Sequence, residues 1–151
     1  MANTTAIANS YKSEVQAGTH VAADVYKIAL IKVASVGNYG ATQTNAGTPG
    51  TGVASATNLG TDEVTGTGYT AGGNTLAGFS ISGTTVGRLD FTTSTWASSS
   101  ISATGAIIYN SSKANRVVGV YDFGGTITST NGTFTATMPA VGDATSLVRI
   151  A

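Results

Sequence analysis

Apolar residues fall in short alternating runs along most of this chain. Residues 24–33 put Tyr26, Ile28 and Leu30 on one face and Val25, Lys27, Ala29 and Ile31 on the other, which is the period-two pattern of a β-strand. Both faces are largely apolar, so the strand is expected to be central or covered on each side. Comparable runs follow at 75–81 and 86–91, either side of the turn residues Ser82, Gly83, Thr84 and Thr85. Others lie at 101–109 and 116–123 around a polar turn at 110–115, at 133–138 before Pro139, and at 147–150. Strands at this spacing, with little helix between them, predict an all-β fold: an antiparallel β-sandwich, jelly roll or small barrel.

Two stretches break the alternation. Over residues 5–17, Ile7, Tyr11 and Val15 recur at i, i+4 and i+8 and would form one apolar stripe on a short helix. Gly18 follows where a left-handed C-terminal residue would sit, and Thr4 or Thr5 could cap the start. The expected organisation is an N-terminal arm with one helix over residues 1–23 and a single β domain over 24–151. The second break, residues 37–61, is a long Gly/Thr-rich loop built of turn chemistry throughout. Fixing each residue costs about 1–2 kcal/mol of backbone entropy. Such a loop, if ordered, must therefore contact a neighbour or pack over the domain's own core. Ile7, Tyr11 and Val15 on the stripe, with the loop tyrosines Tyr39 and Tyr69, are the candidate contacts with other protein.

Composition narrows the function classes. Only 9% of the residues are charged and the formal net charge is zero, against roughly a quarter charged in an ordinary domain. No basic cluster could neutralise several phosphates, which excludes the usual nucleic-acid footprint, and no Lys/Arg-rich amphipathic segment suits a membrane surface. The strongest apolar run, 28–33, is interrupted by lysine and is far short of the ~20 residues of a membrane-spanning helix. The opening Met-Ala-Asn-Thr-Thr lacks the charged and apolar regions of a secretory signal, so synthesis in a cytoplasm is expected. There is no cysteine, hence no thiolate nucleophile, thiolate metal site or disulfide. Hydrophobic residues at 41%, grouped in runs, argue for a folded core over disorder.

Candidate chemistry is sparse. The glycine-rich run 65–73 (Thr-Gly-Thr-Gly-Tyr-Thr-Ala-Gly-Gly) lacks the following helix and nearby lysine of a phosphate loop. It reads better as a turn or bulge needing positive φ. His20 is the only histidine, so neither a His–His metal pair nor a Ser–His–Asp triad can form in one chain. Asp62, Glu63, Asp90, Asp122 and Asp143 show no calcium-loop spacing. Trp96, Tyr69, Tyr109, Tyr121 and Phe91 could build a platform for sugars, but Phe79, Phe91, Tyr121, Phe123 and Phe134 alternate as core aromatics should. Lys113, Arg116 and Arg149 read as surface charges. No enzyme activity, cofactor or metal is expected.

The order of segments resembles a family of small structural proteins of tailed bacteriophages. Residues 11–20 (Tyr-Lys-Ser-Glu-Val-Gln-Ala-Gly-Thr-His), then 24–30, carry the opening of the resemblance. Residues 63–73, 106–110, 120–125 and 131–139, with the C-terminal Arg-Ile-Ala, continue it across nearly the whole chain. The resemblance implies a head decoration or cement protein, repeated many times on the major capsid protein at the outer surface of the virion, with trimers suiting capsid threefold positions. A tail or head-fibre component that binds a receptor or glycan is the rival. No catalytic residue is implied.

Overall fold

The alternating runs do form strands, and they assemble into two antiparallel sheets in a sandwich-like all-β fold with one short helix. A computed structural model describes residues 3–150. In chain order the elements are β1 (Ala6–Ile7), α1 (Asn9–Gln16), β2 (Tyr26–Lys32), β3 (Asn74–Thr75), β4 (Ser80–Ser82), β5 (Gly87–Asp90), β6 (Ser94–Asn110), β7 (Arg116–Ala136) and β8 (Val148–Ile150). The larger sheet runs β1-β7-β6-β2-β3 and the smaller β4-β5-β8.

The two-faced apolar pattern of β2 is explained by what covers it. Tyr26 meets Phe79 and Phe91 on the side of the small sheet, with ring centroids 5.2 and 5.3 Å apart. On the other side lies the glycine-rich run, with the Tyr109 hydroxyl, from the neighbouring strand, donating to Gly72 O at 2.7 Å, while Glu63 pairs laterally with Ile31 along the strand's edge. Ile28, Ala29, Leu30 and Ile31 are all buried.

The ribbon β6–β7 is longer than alternation alone predicts. Its Ser/Thr-rich halves carry little apolar signal, yet they pair from Ser94↔Ala136 to Asn110↔Arg116. The expected separate strand at 133–138 is the far end of β7. Between the pairs Gly105↔Asp122 and Ala103↔Ile127, one residue of β6 faces the four residues 123–126 of β7, a wide bulge. Trp96 and Phe134 cross edge to face at 5.8 Å and are buried near the ribbon's far end, while most of residues 124–133 stay exposed.

Three boundaries differ from the sequence expectation. The predicted helix over 5–17 shortens to α1, because Ala6 and Ile7 pair with Val120 and Gly119 at the edge of β7; ladder hydrogen bonds outweigh the weak propensity of a marginal helix start. Neither Thr4 nor Thr5 caps it, and Ala8 occupies the cap position with no side-chain bond. The predicted strand at 75–81 splits, with Asn74–Thr75 joining β2 and Ser80–Ser82 joining β5. Residues 3–23 are also not a free arm: Ala8 and Tyr11 are core residues, and Ala8 N–H donates to Val118 O.

Loop 37–61 packs over the domain's own core. Its backbone is zipped by Thr44 N–H to Ala56 O, Leu59 N–H to Ala46 O and Ala46 N–H to Asn115 O. Gln43, buried, donates its amide to Asn45 O and Ser55 O, each at 2.9 Å. Ala46 and Leu59 are fully enclosed. These contacts offset the entropy that an unattached loop of this length would cost.

Candidate assembly surface

Helix α1 lies against the start of β7, held by a polar network. The Glu14 carboxylate accepts from the Arg116 guanidinium and lies 2.8 Å from His20 Nε2. His20 packs against Tyr11, ring centroids 4.7 Å apart. Asn110 Nδ2 donates to Asp24 at 2.8 Å and stands 3.0 Å from His20 Nδ1. Asn110 Oδ1 accepts from Ser112 N–H, which fixes the amide orientation. Nδ1 of His20 is therefore the acceptor, and Nε2–H donates to Glu14. Burial opposes the charge of Asp24, but the Asn110 amide, Val21 N–H and the Lys113 ammonium hold its carboxyl below the usual range. Burial, with the nearby Glu14 charge, pushes the Tyr11 phenol up to about 12. The only histidine is thus occupied in tying α1 to the sheet.

The outward side of α1 is open. Ile7 and Val15 come together there with Lys12, Gln16, Arg149 and Ile150 around a groove of ≈ 400 Å³ floored by Tyr11. At 4% exposed, Tyr11 is a core residue, which corrects the expectation of it as a contact. Ile7 reaches it from β1 rather than from the helix, so the i, i+4, i+8 stripe is completed by a strand. A second groove of ≈ 320 Å³ continues from Ile7 and Arg149 past Tyr121, Pro139 and Leu147. Beyond these three residues lies an apolar cavity of ≈ 240 Å³ that reaches Ile28, Ile108 and Met138. Ile150 is 50% exposed at the trough's end. Sequence reasoning missed Arg149, Ile150 and Leu147 as members of this surface. Their alternation marks a strand, but only the fold lays that strand beside α1.

The two loop tyrosines lie elsewhere. Tyr39 is 2% exposed, and its hydroxyl donates to Asp62 Oδ2 at 2.8 Å. The expectation of Tyr39 as a contact residue is corrected: its ring is enclosed because Asp62 anchors the loop's entry. Asp62 Oδ2 also accepts from Val36 and Gly37 N–H at 2.9 and 2.7 Å. Burial works against the Asp62 charge, yet these N–H groups, the Tyr39 hydroxyl and Lys32 keep its carboxyl below the usual range. Tyr69 is half-buried and stacks on Trp96 at 5.9 Å. Its hydroxyl accepts from Leu30 N–H at 2.9 Å and donates to Glu63 Oε1 at 2.7 Å. Burial pushes the Glu63 carboxyl up, against the pull of Tyr69, Gly72 N–H and Lys27. An exposed aromatic tip for glycan binding gets no support from either ring.

The glycine-rich run is a turn. Gly66, Gly68, Gly72 and Gly73 all have positive φ. At Gly73, φ is +67° and a Cβ would fall 1.8 Å from Ile28 O. Trp96, Tyr109 and Phe91 are buried in the core, so they form no open platform. Among the described residues, no three His, Asp or Glu side chains cluster as metal ligands, and no helix is long and apolar enough to cross a membrane. No protein-family model, curated protein or solved structure matches this chain.

Proposed function

We propose that this chain is a structural protein of a tailed-bacteriophage virion, a decoration protein that binds the major capsid protein on the outer face of the head and stabilises the shell. The observation that carries this reading is the groove beside α1. It gathers Ile7, Val15 and Ile150 into one apolar strip over the buried Tyr11 ring, and the only charged residues lining it are Lys12 and Arg149. The resemblance of segment order supplies the virion context.

The physics suits a repeated, modest contact. Apolar area removed from water contributes about 25 cal/mol per Å², and specific interfaces bury about 1,600 Å² in total. A strip of this size is one part of such an interface, with Thr and Ser hydroxyls bonding around it at no charge-desolvation cost. Repetition over a shell then adds avidity.

The test is co-sedimentation with capsids stripped of this protein. Val15→Glu and Ile150→Asp are each expected to weaken binding about tenfold or more, as central apolar contacts do, while the thermal melt stays close to wild type. Unchanged binding by both variants overturns the groove as the contact. Copy number tests the virion role itself: hundreds per particle fit shell decoration, whereas multiples of six or twelve fit a tail or fibre.

A further inference from the structure

The outer edge of β7 carries no charged or proline guard over residues 123–136. β1 covers it only at Gly119 and Val120. Among the described residues, β6 is the only strand that pairs with residues 123–136. Natural edge strands are blunted by lysine, proline, inward-pointing charge or bulges. Here residues 123–142 contain no charged residue, and Pro139 lies beyond the end of the strand. Thr126, Thr128 and Thr130 are exposed, and Ile127 is 41% exposed. The wide bulge at 123–126 takes in Thr126, and a register slip at Thr130 and Asn131 (φ 48°) lies at the other end, so the regular segment is three residues long. Between them Ile127, Thr128 and Ser129 pair in unbroken register with Ala103, Ser102 and Ile101. The Ser102 and Thr128 hydroxyls are 2.8 Å apart, a cross-strand link on one face of the ladder.

We propose that this edge pairs with the same edge of a second copy, antiparallel across a twofold axis through Thr128. The run Thr-Ile-Thr-Ser-Thr over 126–130 is nearly palindromic about Thr128. A twofold contact sets Thr126 opposite Thr130, Ile127 opposite Ser129, and Thr128 opposite itself. Thr–Thr pairs are favourable across antiparallel strands, and like charges directly opposite are not. Charge leaves a second copy unopposed. An isologous interface puts every residue against its own copy or its dyad mate, so a charged edge repels itself and an uncharged one does not. The zero net charge of the chain removes longer-range repulsion as well. The paired edges would join two five-stranded sheets into one continuous sheet, with main-chain hydrogen bonds supplying the affinity. This inference does not rest on the virion reading.

Sedimentation velocity on the full chain tests it. Wild type is expected to show a concentration-dependent dimer. Thr128→Lys and Thr128→Glu, at an exposed side chain, each set like charges opposite across the dyad and are expected to weaken dimerisation about tenfold or more, with unchanged circular dichroism. An equimolar mixture of the two variants is expected to dimerise again as the Lys–Glu heterodimer. A wild type that stays monomeric to about 1 mM overturns the proposal. So does a Thr128→Lys dimer as strong as wild type, or a mixture that fails to recover. Capsid binding by Thr128→Lys, measured separately, keeps this outcome distinct from that of the decoration reading.

Discussion

Asp62 and Glu63 are adjacent and both buried, and their surroundings drive their acidity in opposite directions. The folded Asp62 is more acidic than in the unfolded chain, so its contribution is present at neutral pH and lost as pH falls through the carboxylate range. The folded Glu63 is less acidic, so its contribution is present in acid and lost as pH rises through its folded value. Asp62→Asn is expected to cost about 2 kcal/mol near neutrality, the scale of hydrogen bonds to a charged group, with the cost shrinking toward pH 3. Glu63→Gln is expected to gain stability relative to wild type between pH 4 and pH 7. Urea denaturation across that range reads both, and parallel pH profiles for the two variants would refute the assignment. Backbone geometry gives a second contrast between single residues. Gly73→Ala meets Ile28 O head-on and is expected to cost more than about 3 kcal/mol, whereas Gly124→Ala, at φ +73° with nothing within 4 Å, pays only the left-handed penalty of about 1 kcal/mol. Melting temperatures of the two variants should separate accordingly.

Elements here are stabilised by partners distant in sequence. α1 has eight residues and no side-chain cap, too short to persist alone. It exists because Tyr11 enters the core and Glu14 meets Arg116, 102 residues away. Deletion of residues 1–23 is therefore expected to destabilise the whole β body by several kcal/mol, since it strips Ala8 and Tyr11 from the core and uncovers the β7 edge at Gly119 and Val120. A truncated chain melting cooperatively at the wild-type temperature would contradict this. The ribbon β6–β7 makes the same point. Trp96 and Phe134 secure its distal half, and the Ser/Thr hydroxyls between them have little apolar signal to announce a strand.

For the whole molecule, scarcity of charge has a measurable consequence. Contacts made by apolar, Ser and Thr side chains are screened little by salt, unlike charge-steered ones. The proposed capsid binding and the proposed self-association are both expected to change less than about threefold between 0.05 and 0.5 M NaCl, by co-sedimentation and sedimentation velocity respectively. A loss of tenfold or more would assign the contact to the few lysines and arginines instead.

Local chemistry legible in the sequence settled much of this protein. Alternation marked β2, β5, β8 and the proximal parts of β6 and β7, and Gly18 marked the end of α1. The glycine-rich run was readable as a turn, because positive φ is a demand a single residue meets. Alternation marked Phe91 and Phe134 as core, while Phe79, Tyr121 and Phe123 pack against it only partly buried. Tertiary structure alone decided that Ile7 joins a strand, that Tyr39 points inward to Asp62, and that residues 3–23 belong to the body. It also decided that Ile150 completes the groove begun by Tyr11 and Val15. Each of these outcomes depends on a partner tens of residues away, and the free energy of such a contact is not written in the local pattern of either partner. The low charge is visible in the sequence, but only the fold shows which uncharged edge and groove it leaves open.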